Sequence, residues 1–148
     1  DFAPSGFRGE CSPSYAYVTA AAPGLMVRAE NGVVVINLDF IDNEHSGWVL
    51  LYLHIATEGR LVDAGDEVQA GDRIGHPSCE GGISTGTHVH IARKYNGEWM
   101  TADGPTPFVL SGWTVHEGSK AYKGSLTKPG EKTVLASSFS APGSQIKR

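Results

Sequence analysis

The dipeptide Asn31-Gly32, which stands between two apolar runs, constrains the fold of this chain more than any other feature. Residues 25–29 precede the pair and residues 33–38 follow it, and aliphatic side chains dominate both runs. Asn and Gly both tolerate a positive φ, so this arrangement is the strongest short-range signal of a β-hairpin. We therefore predict an antiparallel pair of strands here, with residues 33–38 as a buried strand.

Further short apolar runs continue this pattern along the chain, at residues 17–20, 48–55, 88–95, 108–110 and 113–115. A second such pair, Asn96-Gly97, predicts that the strand 88–95 turns back through Trp99 and Met100. No convincing amphipathic helix of ten or more residues is evident in the sequence. We predict a mainly β single domain with an antiparallel β-sheet core, short hairpins and long loops.

A short internal repeat lies in the middle of the chain, where Ala64-Gly65-Asp66 is echoed by Ala70-Gly71-Asp72. Each Ala-Gly-Asp predicts a tight turn between short extended pieces. Similar repeats occur in lipoyl- and biotinyl-type carrier modules, which attach their cofactor to an exposed lysine. No lysine lies between Val62 and His90, which argues against a carrier module.

Length, charge and cysteine content narrow the functional classes. A chain of 148 residues suits one domain. The formal net charge is -4 and no cluster of Lys or Arg is present, so we expect no nucleic-acid partner. No apolar run approaches the roughly 20 residues of a membrane span. The two cysteines, Cys11 and Cys79, are compatible with one disulfide and secretion, or with two buried thiols.

The two ends of the chain differ in character. Asp1-Phe2-Ala3-Pro4 resembles the interior of a longer protein, so we expect the natural protein to extend before Asp1. Residues 5–16 carry turn signals without a sustained period, which predicts a loop or insertion. Residues 117–148 are rich in Ser, Gly, Lys and Pro, and we predict that the last eight form an unpacked tail. We divide the chain into residues 1–116 and a C-terminal extension, 117–148.

Two histidines, His88 and His90, follow a glycine-rich loop on a predicted strand. Side chains at positions i and i+2 of a strand point to the same face, so the two imidazoles should project together. Such a pair is a common way to build half of a metal site, although a polar pair on a solvated strand face would look the same. The pair alone leaves both interpretations open.

A third histidine, His54, stands near the end of the predicted strand 48–55. By alternation it shares a face with Tyr52 and Leu50, and its side chain could converge with those of His88 and His90. A lone histidine in such a place is more often a hydrogen-bonded core residue. The remaining histidines stand in or beside loops, where we expect solvated surface roles: His45, His76 and His116.

The order of these pieces resembles that of the LytM/lysostaphin-type zinc peptidases, family M23. The resemblance covers residues 1 to about 95. It rests on the following pieces, in this order: Asp1-Phe2-Ala3-Pro4, residues 22–34, Tyr52-Leu53-His54, the paired Gly-Asp turns and Gly86-Thr87-His88-Val89-His90. The short H-x-H and Y-x-H pieces are weak signals separately, and their order makes the combined signal specific. On this resemblance, residues 1–116 are an M23-like peptidase domain that is truncated at its N-terminal end.

The resemblance also implies a site. In the family, Zn²⁺ is held by a His and an Asp of an upstream motif and by the second His of H-x-H, which makes Asp1 and His90 zinc ligands here. The family's His before that Asp has no counterpart in the given sequence. His88 would take a proton from the attacking water as general base. His54 would donate a hydrogen bond to the oxyanion or assist proton transfer to the leaving amine. The sequence does not decide which of His54 and His88 takes which role.

The implied activity is that of a secreted zinc metallo-endopeptidase, extracellular or in the cell envelope, which cuts peptide stems or cross-bridges of bacterial peptidoglycan. The glycines at 81, 82 and 86 would let a substrate peptide lie close to the backbone. The insertion around Cys11 could form a lip of the cleft, fastened through Cys11 to Cys79. These are expectations from the resemblance.

Two other interpretations are open. A catalytically inactive LytM-like domain would bind peptidoglycan or a partner cell-wall hydrolase, and such domains usually lack one or more metal or catalytic residues. Asp1, His54, His88 and His90 are all present, which favours the enzyme. A plain β carbohydrate-binding module would explain the fold class and would leave the three histidines without a role.

Overall fold

The computed structural model describes residues 1–5, 11–12, 14–120, 123–138 and 141–146. These residues form short β-strands and one 3₁₀ turn, Pro142–Ser144, with no α-helix among them. No helix of the described residues is long and apolar enough to cross a membrane. The predicted mainly β class with antiparallel pairing is confirmed. Parts of the predicted loop 5–16 (6–10 and 13) and of the predicted tail (147–148) lie outside the described residues.

The chain divides into two compact units, Asp1–Met100 and Thr101–Arg148. The strands of the first unit are β1 (Val18–Thr19), β2 (Gly24–Glu30), β3 (Val33–Asn37), β4 (Trp48–Leu53), β5 (Glu67–Val68), β6 (Arg73–Gly75), β7 (His90–Tyr95) and β8 (Glu98–Trp99). Those of the second unit are β9 (Val109–Leu110), β10 (Trp113–His116), β11 (Ser125–Thr127) and β12 (Val134–Leu135).

The second unit is built on a four-stranded antiparallel sheet of order β12-β11-β10-β9. Its strands β9 and β10 belong to the predicted domain 1–116, whereas β11 and β12 come from the predicted extension. The boundary between the two compact units therefore lies between Met100 and Thr101. The end of the peptidase domain at residue 116 stays a prediction. The strands β11 and β12 have only three and two residues, and the segment between them is rich in polar residues. They therefore leave no periodic signal in the sequence.

The first unit is built on a six-stranded antiparallel sheet of order β5-β2-β3-β4-β7-β8. The predicted hairpin joins β2 to β3, and its turn residues Asn31 and Gly32 have φ values of 50° and 76°. Asn96 and Gly97, with φ values of 49° and 83°, join β7 to β8 in the same way. Both predicted Asn-Gly hairpins are confirmed. Each turn needs two residues that tolerate a positive φ, which Asn and Gly do.

One face of this sheet packs into the core. Cross-strand partners share a face, and the pairs Val34–Tyr52 and Ile36–Leu50 place four large side chains together, all of them buried. Tyr52 is fully buried, and its hydroxyl oxygen accepts a hydrogen bond from the backbone N–H of Ala21 at 2.8 Å. Burial raises the pKa of Tyr52 to about 12. The tyrosine thus ties the sheet to the segment that follows β1.

The opposite face of the sheet carries the row Val33, Leu53 and His90, which are direct cross-strand partners along β3, β4 and β7. Leu51 and Ala92 form the next row of this face on β4 and β7. All five side chains are only partly buried. A functional site on this face is therefore open to solvent.

The paired Gly-Asp turns lie between β4 and β6. Gly65 and Gly71 have φ values of 97° and 95°, and each is followed by an aspartate that closes its turn. The carboxylates of Asp66 and Asp72 accept hydrogen bonds from backbone N–H groups three residues earlier, at 2.8 Å in both turns. The predicted tight turns are confirmed, and their aspartates have a structural role.

Candidate active site

The segment that begins with Asp1 lies antiparallel beside the H-x-H segment. Phe2 and Val89 exchange two backbone hydrogen bonds, of 2.8 and 2.9 Å, and form an isolated bridge. Strand β7 itself starts at His90, so His88 precedes it and is held by a separate bridge to Ser78. These two bridges bring three distant parts of the chain to one end of β7.

Asp1 and His90 are in direct contact as a result. Oδ1 of Asp1 lies 2.6 Å from Nδ1 of His90 and 3.7 Å from Nε2 of His88. About a third of the Asp1 side chain and 43% of the His90 side chain are exposed. The two residues predicted as metal ligands thus present adjacent oxygen and nitrogen donors at an open surface.

His54 reaches the same place by a change in backbone direction. Strand β4 ends at Leu53, and His54 has a φ of 68°, in the left-handed region that non-glycine residues rarely adopt. Its ring centroid lies 4.4 Å from that of His88. The prediction that His54 shares a face with Tyr52 and Leu50 is wrong, because the positive φ interrupts the alternation on which it depends. The predicted convergence of the three histidines is nevertheless observed.

Both catalytic candidates have one ring nitrogen occupied by a carbonyl oxygen. Nδ1 of His54 lies 2.7 Å from the carbonyl oxygen of Glu80, and Nδ1 of His88 lies 2.8 Å from that of Gly86. A carbonyl oxygen only accepts hydrogen bonds, so each Nδ1 carries the hydrogen. In the neutral form of each ring, Nε2 therefore keeps its lone pair and can accept a proton.

Burial lowers the pKa of two imidazoles at the site, those of His54 and His90. His54 is only 3% exposed, and burial lowers its pKa, assisted by the charges of His88 and His90 and opposed by the hydrogen bond to Glu80. Burial also lowers the pKa of His90. Both shifts favour rings with an available nitrogen lone pair near neutral pH.

The donor set fits zinc in its chemistry. Carboxylate oxygen and imidazole nitrogen are both ligands that Zn²⁺ prefers. Among the residues that the structure describes, no group of three His, Cys, Asp or Glu side chains is placed to hold a metal ion. Asp1 and His90 therefore supply two donors, and a tetrahedral site with an open position needs a third protein ligand.

A disulfide lies beside the site. Cys11 and Cys79 are bonded, with their Cα atoms 5.6 Å apart, which decides between the two alternatives left open by the sequence. The hydroxyl of Thr87 donates to the carbonyl oxygen of Ser12 at 2.6 Å, so residues 11–12 are fastened to both ends of the loop 79–87. Ile83 at the middle of this loop is fully exposed.

The glycines of this loop have different functions. A Cβ atom on Gly81 would lie 2.7 Å from the carbonyl oxygen of Asn31, so Gly81 is required by packing against the β2–β3 turn. A Cβ atom on Gly82 would lie 3.7 Å from Cε1 of His54, in ordinary contact distance. Of these two glycines, only Gly82 thus lies directly beside a candidate catalytic side chain.

Two other histidines of the first unit, His45 and His76, have their contacts away from the site. His76 contacts the carbonyl oxygen of Ala16 at 2.8 Å, and His45 lies in an exposed loop beside Glu44. His116 belongs to the second unit, where it bonds Asp103 and Thr127. Sequence reasoning missed two residues that hold the catalytic candidates, Ser78 and Glu80. No spacing rule marks them, because their contacts are formed by main-chain atoms across the fold.

Residues 10–102 match the family described as Peptidase family M23, a range that includes His54, His88 and His90. Over 65 residues the chain is 38% identical to Protease LasA of Pseudomonas aeruginosa PAO1. Over 66 residues it is 35% identical to Protease LasA of strain UCBPP-PA14. Each match covers 40% of this chain and only 15% of the length of LasA.

The fold is similar to that of pseudoalterin, described as a novel M23 metalloprotease from the deep sea. The two structures superpose with a TM-score of 0.68, covering 88% of this chain and 75% of pseudoalterin. Their sequences are 24% identical, so this likeness concerns the fold alone.

Proposed function

This chain belongs to peptidase family M23, and we propose that it is a zinc-dependent endopeptidase that hydrolyses peptide bonds of bacterial peptidoglycan stems or cross-bridges. One observation carries this proposal: the Asp1–His90 pair lies beside two histidines whose Nε2 atoms are free to accept protons. Metal-assisted hydrolysis requires metal ligands next to a base, and this pair would supply two of the three protein ligands of such a site.

Asp1 and His90 would hold the ion, together with the histidine that the family resemblance predicts before Asp1. When bound, Zn²⁺ would polarise the scissile carbonyl and make water acidic enough to deprotonate near neutral pH. Both donors are partly exposed, so a peptide can approach them without displacing the core.

His88 acts as the general base. Its Nε2 lies 3.7 Å from the Asp1 carboxylate, which leaves it within hydrogen-bond reach of a water molecule beside the two ligands. The Nδ1–H bond to Gly86 fixes the ring and leaves Nε2 as the acceptor. The proton of the attacking water therefore moves to Nε2 of His88.

His54 assists in its protonated form. Its Nδ1 hydrogen is donated to Glu80, so Nε2 can donate to an oxyanion or to the leaving amine only after it has taken up a proton. The ring centroids of His54 and His88 lie 4.4 Å apart, so both histidines would act at the same reaction centre. The lowered pKa of His54 favours release of that proton to the leaving amine.

The surroundings of the site support a peptide substrate and an extracellular location. The partly buried side chains of Leu53, Leu51 and Ala92 and the backbone of Gly82 offer an apolar surface beside the site on which an extended chain can lie. A Cys11–Cys79 disulfide persists in oxidising compartments, which supports a secreted or cell-envelope protein.

A catalytically inactive domain that binds peptidoglycan or a partner hydrolase is the second candidate, since the described residues supply two metal donors and not three. The deciding experiment uses the full-length natural protein. We expect about one zinc per chain, hydrolysis of a glycine-containing cross-bridge peptide, and loss of hydrolysis with a chelator. Binding to purified peptidoglycan without hydrolysis, in the zinc-loaded protein, would establish the second candidate.

A further inference from the structure

Residues 78–80 contact both candidate catalytic histidines, and we call them the clamp segment. The N–H of Ser78 donates to the carbonyl oxygen of His54 at 2.7 Å, and the carbonyl oxygen of Ser78 accepts from the N–H of His88 at 3.2 Å. The carbonyl oxygen of Glu80 accepts from the His54 ring at 2.7 Å. This short segment thus fixes the backbone of both histidines and the ring of one.

The side chain of Glu80 points to a different partner. Its Oε2 accepts hydrogen bonds from the backbone N–H of Thr57, at 3.0 Å, and from the Thr57 hydroxyl. Thr57 lies three residues after His54 along the chain. Glu80 therefore spans the turn that follows β4: its carbonyl oxygen holds the His54 ring, and its carboxylate holds the loop beyond it.

Two further anchors hold the clamp segment. Cys79 is bonded to Cys11, which fixes the residue before Glu80. On the other side, a Cβ atom at Gly32 would lie 2.6 Å from the carbonyl carbon of Glu80, so the β2–β3 turn is packed directly against the Glu80 peptide group. Main-chain packing on one side and the disulfide on the other hold the backbone of the clamp segment. The contact with Thr57 holds the side chain of Glu80.

We propose that Glu80 is a positioning residue for His54. Its carboxylate, held by Thr57, keeps its carbonyl oxygen in place, and that oxygen selects the ring tautomer with hydrogen on Nδ1 and a bare Nε2. The catalytic consequence rests on the proposed function, because a bare Nε2 on His54 matters only if that atom exchanges protons during hydrolysis. The structural consequence, the tautomer itself, does not depend on it.

The alternative is that the Glu80 carboxylate only stabilises the loop. The two roles differ in what they predict for the ring. Without a fixed acceptor at Nδ1, a neutral imidazole redistributes between its two tautomers. In the tautomer with hydrogen on Nε2, this nitrogen cannot accept the proton that the proposed reaction transfers to it. A purely structural role would lower stability and leave the tautomer of the folded protein unchanged.

The test compares Glu80→Ala and Glu80→Gln with Glu58→Ala as the control. Glu58 is an exposed carboxylate next to Thr57 in the same loop, so its removal changes the charge equally. ¹⁵N NMR of the His54 ring in the metal-free protein reports the tautomer. We expect Glu80→Ala to lose the pure Nδ1–H state, Glu80→Gln to retain it through its amide oxygen, and Glu58→Ala to match the wild type.

Kinetics on a cross-bridge peptide give the second measurement. Glu80→Ala should lower kcat roughly tenfold with KM within about twofold, the scale found when the outer partner of a functional imidazole is removed. Thr57→Ser should retain kcat, and Thr57→Val, which loses the hydroxyl bond to Glu80 and keeps the backbone one, should lower kcat by a smaller factor. These two variants keep the test decisive if Glu80→Ala does not fold.

An unchanged His54 tautomer in folded Glu80→Ala and Thr57→Val would overturn the proposal, as would an equal loss of kcat in Glu58→Ala. If the wild-type protein does not hydrolyse peptides although it binds zinc, the proposed function fails. The tautomer measurement then still decides whether Glu80 positions His54.

Discussion

His54 and His88 lie with their ring centroids 4.4 Å apart, and each donates its Nδ1 hydrogen to a main-chain carbonyl oxygen. The two contacts have the same chemical result, since each neutral ring keeps a lone pair on Nε2. Neither acceptor is a side chain, so no single side-chain substitution removes it directly. Two proton-accepting nitrogens therefore lie beside the carboxylate–imidazole pair of Asp1 and His90.

Replacing His88 by Ala should lower kcat by about 10²- to 10⁴-fold, because the proton of the attacking water loses its acceptor. KM should change little, since the ligands Asp1 and His90 remain. Steady-state hydrolysis of a glycine-containing peptide checks this, with His76→Ala as the control because His76 contacts Ala16 away from the site. A His88→Ala enzyme with wild-type kcat would show that the base has been assigned to the wrong residue.

Replacing His90 by Ala should remove one of the metal donors and lower zinc affinity roughly hundredfold or more. Zinc content after dialysis and titration with a competing chelator, both on the full-length natural protein, measure this directly. Asp1→Ala should have a similar effect, and His45→Ala should have none, because His45 lies in an exposed loop. Undiminished zinc binding in both Asp1→Ala and His90→Ala would place the metal elsewhere.

Substitutions of His54 should distinguish the chemical role of its side chain from the conformational requirement of its backbone. The φ of 68° costs a β-branched residue more than it costs Asn, which tolerates the left-handed region. We therefore expect His54→Asn to fold with near wild-type stability and low activity, and His54→Val to be less stable than His54→Asn by about 1–2 kcal/mol. Urea unfolding gives the difference. Equal stabilities of these two variants would mean that the loop relaxes.

Much of the fold could be predicted from local signals. The Asn31-Gly32 turn, the paired Gly-Asp turns and the apolar runs each need only their own neighbours, because positive φ and strand alternation are properties of short segments. The convergence of His54 with the H-x-H histidines was also predicted from strand positions. The strands β11 and β12 were missed, since each is too short to show a period.

The details of the site could not be predicted for a different reason. Alternation assigned His54 to the face of Tyr52 and Leu50, and the positive φ of His54 itself reversed that assignment. The roles of Ser78 and Glu80 depend on main-chain groups that come close only in the folded chain, where residue type carries no signal. Gly81 was predicted to serve the substrate, whereas its neighbour is the carbonyl oxygen of Asn31.

Removal of the Cys11–Cys79 disulfide should destabilise the protein by about 4 kcal/mol, because the bond closes a long loop with a sequence separation of 68. The double variant Cys11→Ser/Cys79→Ser should therefore unfold at lower urea concentration than the oxidised wild type. Adding a reductant should lower the wild-type midpoint and leave that of the double variant unchanged. Identical midpoints for the oxidised wild type and the double variant would show that the bond adds no stability.

Tyr52 predicts how stability depends on pH in the alkaline range. Burial raises its pKa to about 12 in the folded protein, compared with about 10 for an exposed tyrosine. A group whose pKa is raised by folding contributes stability that is complete below the unfolded pKa. That contribution is lost as the pH rises from about 10 towards 12, by up to about 3 kcal/mol.

Tyr52→Phe isolates this contribution. At pH 7 the variant should be less stable by about 1 kcal/mol, because the N–H of Ala21 loses its hydrogen bond to the tyrosine hydroxyl. Between pH 10 and 12 the gap should shrink, since phenylalanine does not ionise and the wild type alone loses stability. Urea unfolding at pH 8 and pH 11.5 measures the gap, with exposed Tyr15→Phe as the control. A gap of equal size at both pH values would mean that Tyr52 ionises in the folded protein as readily as in the unfolded chain.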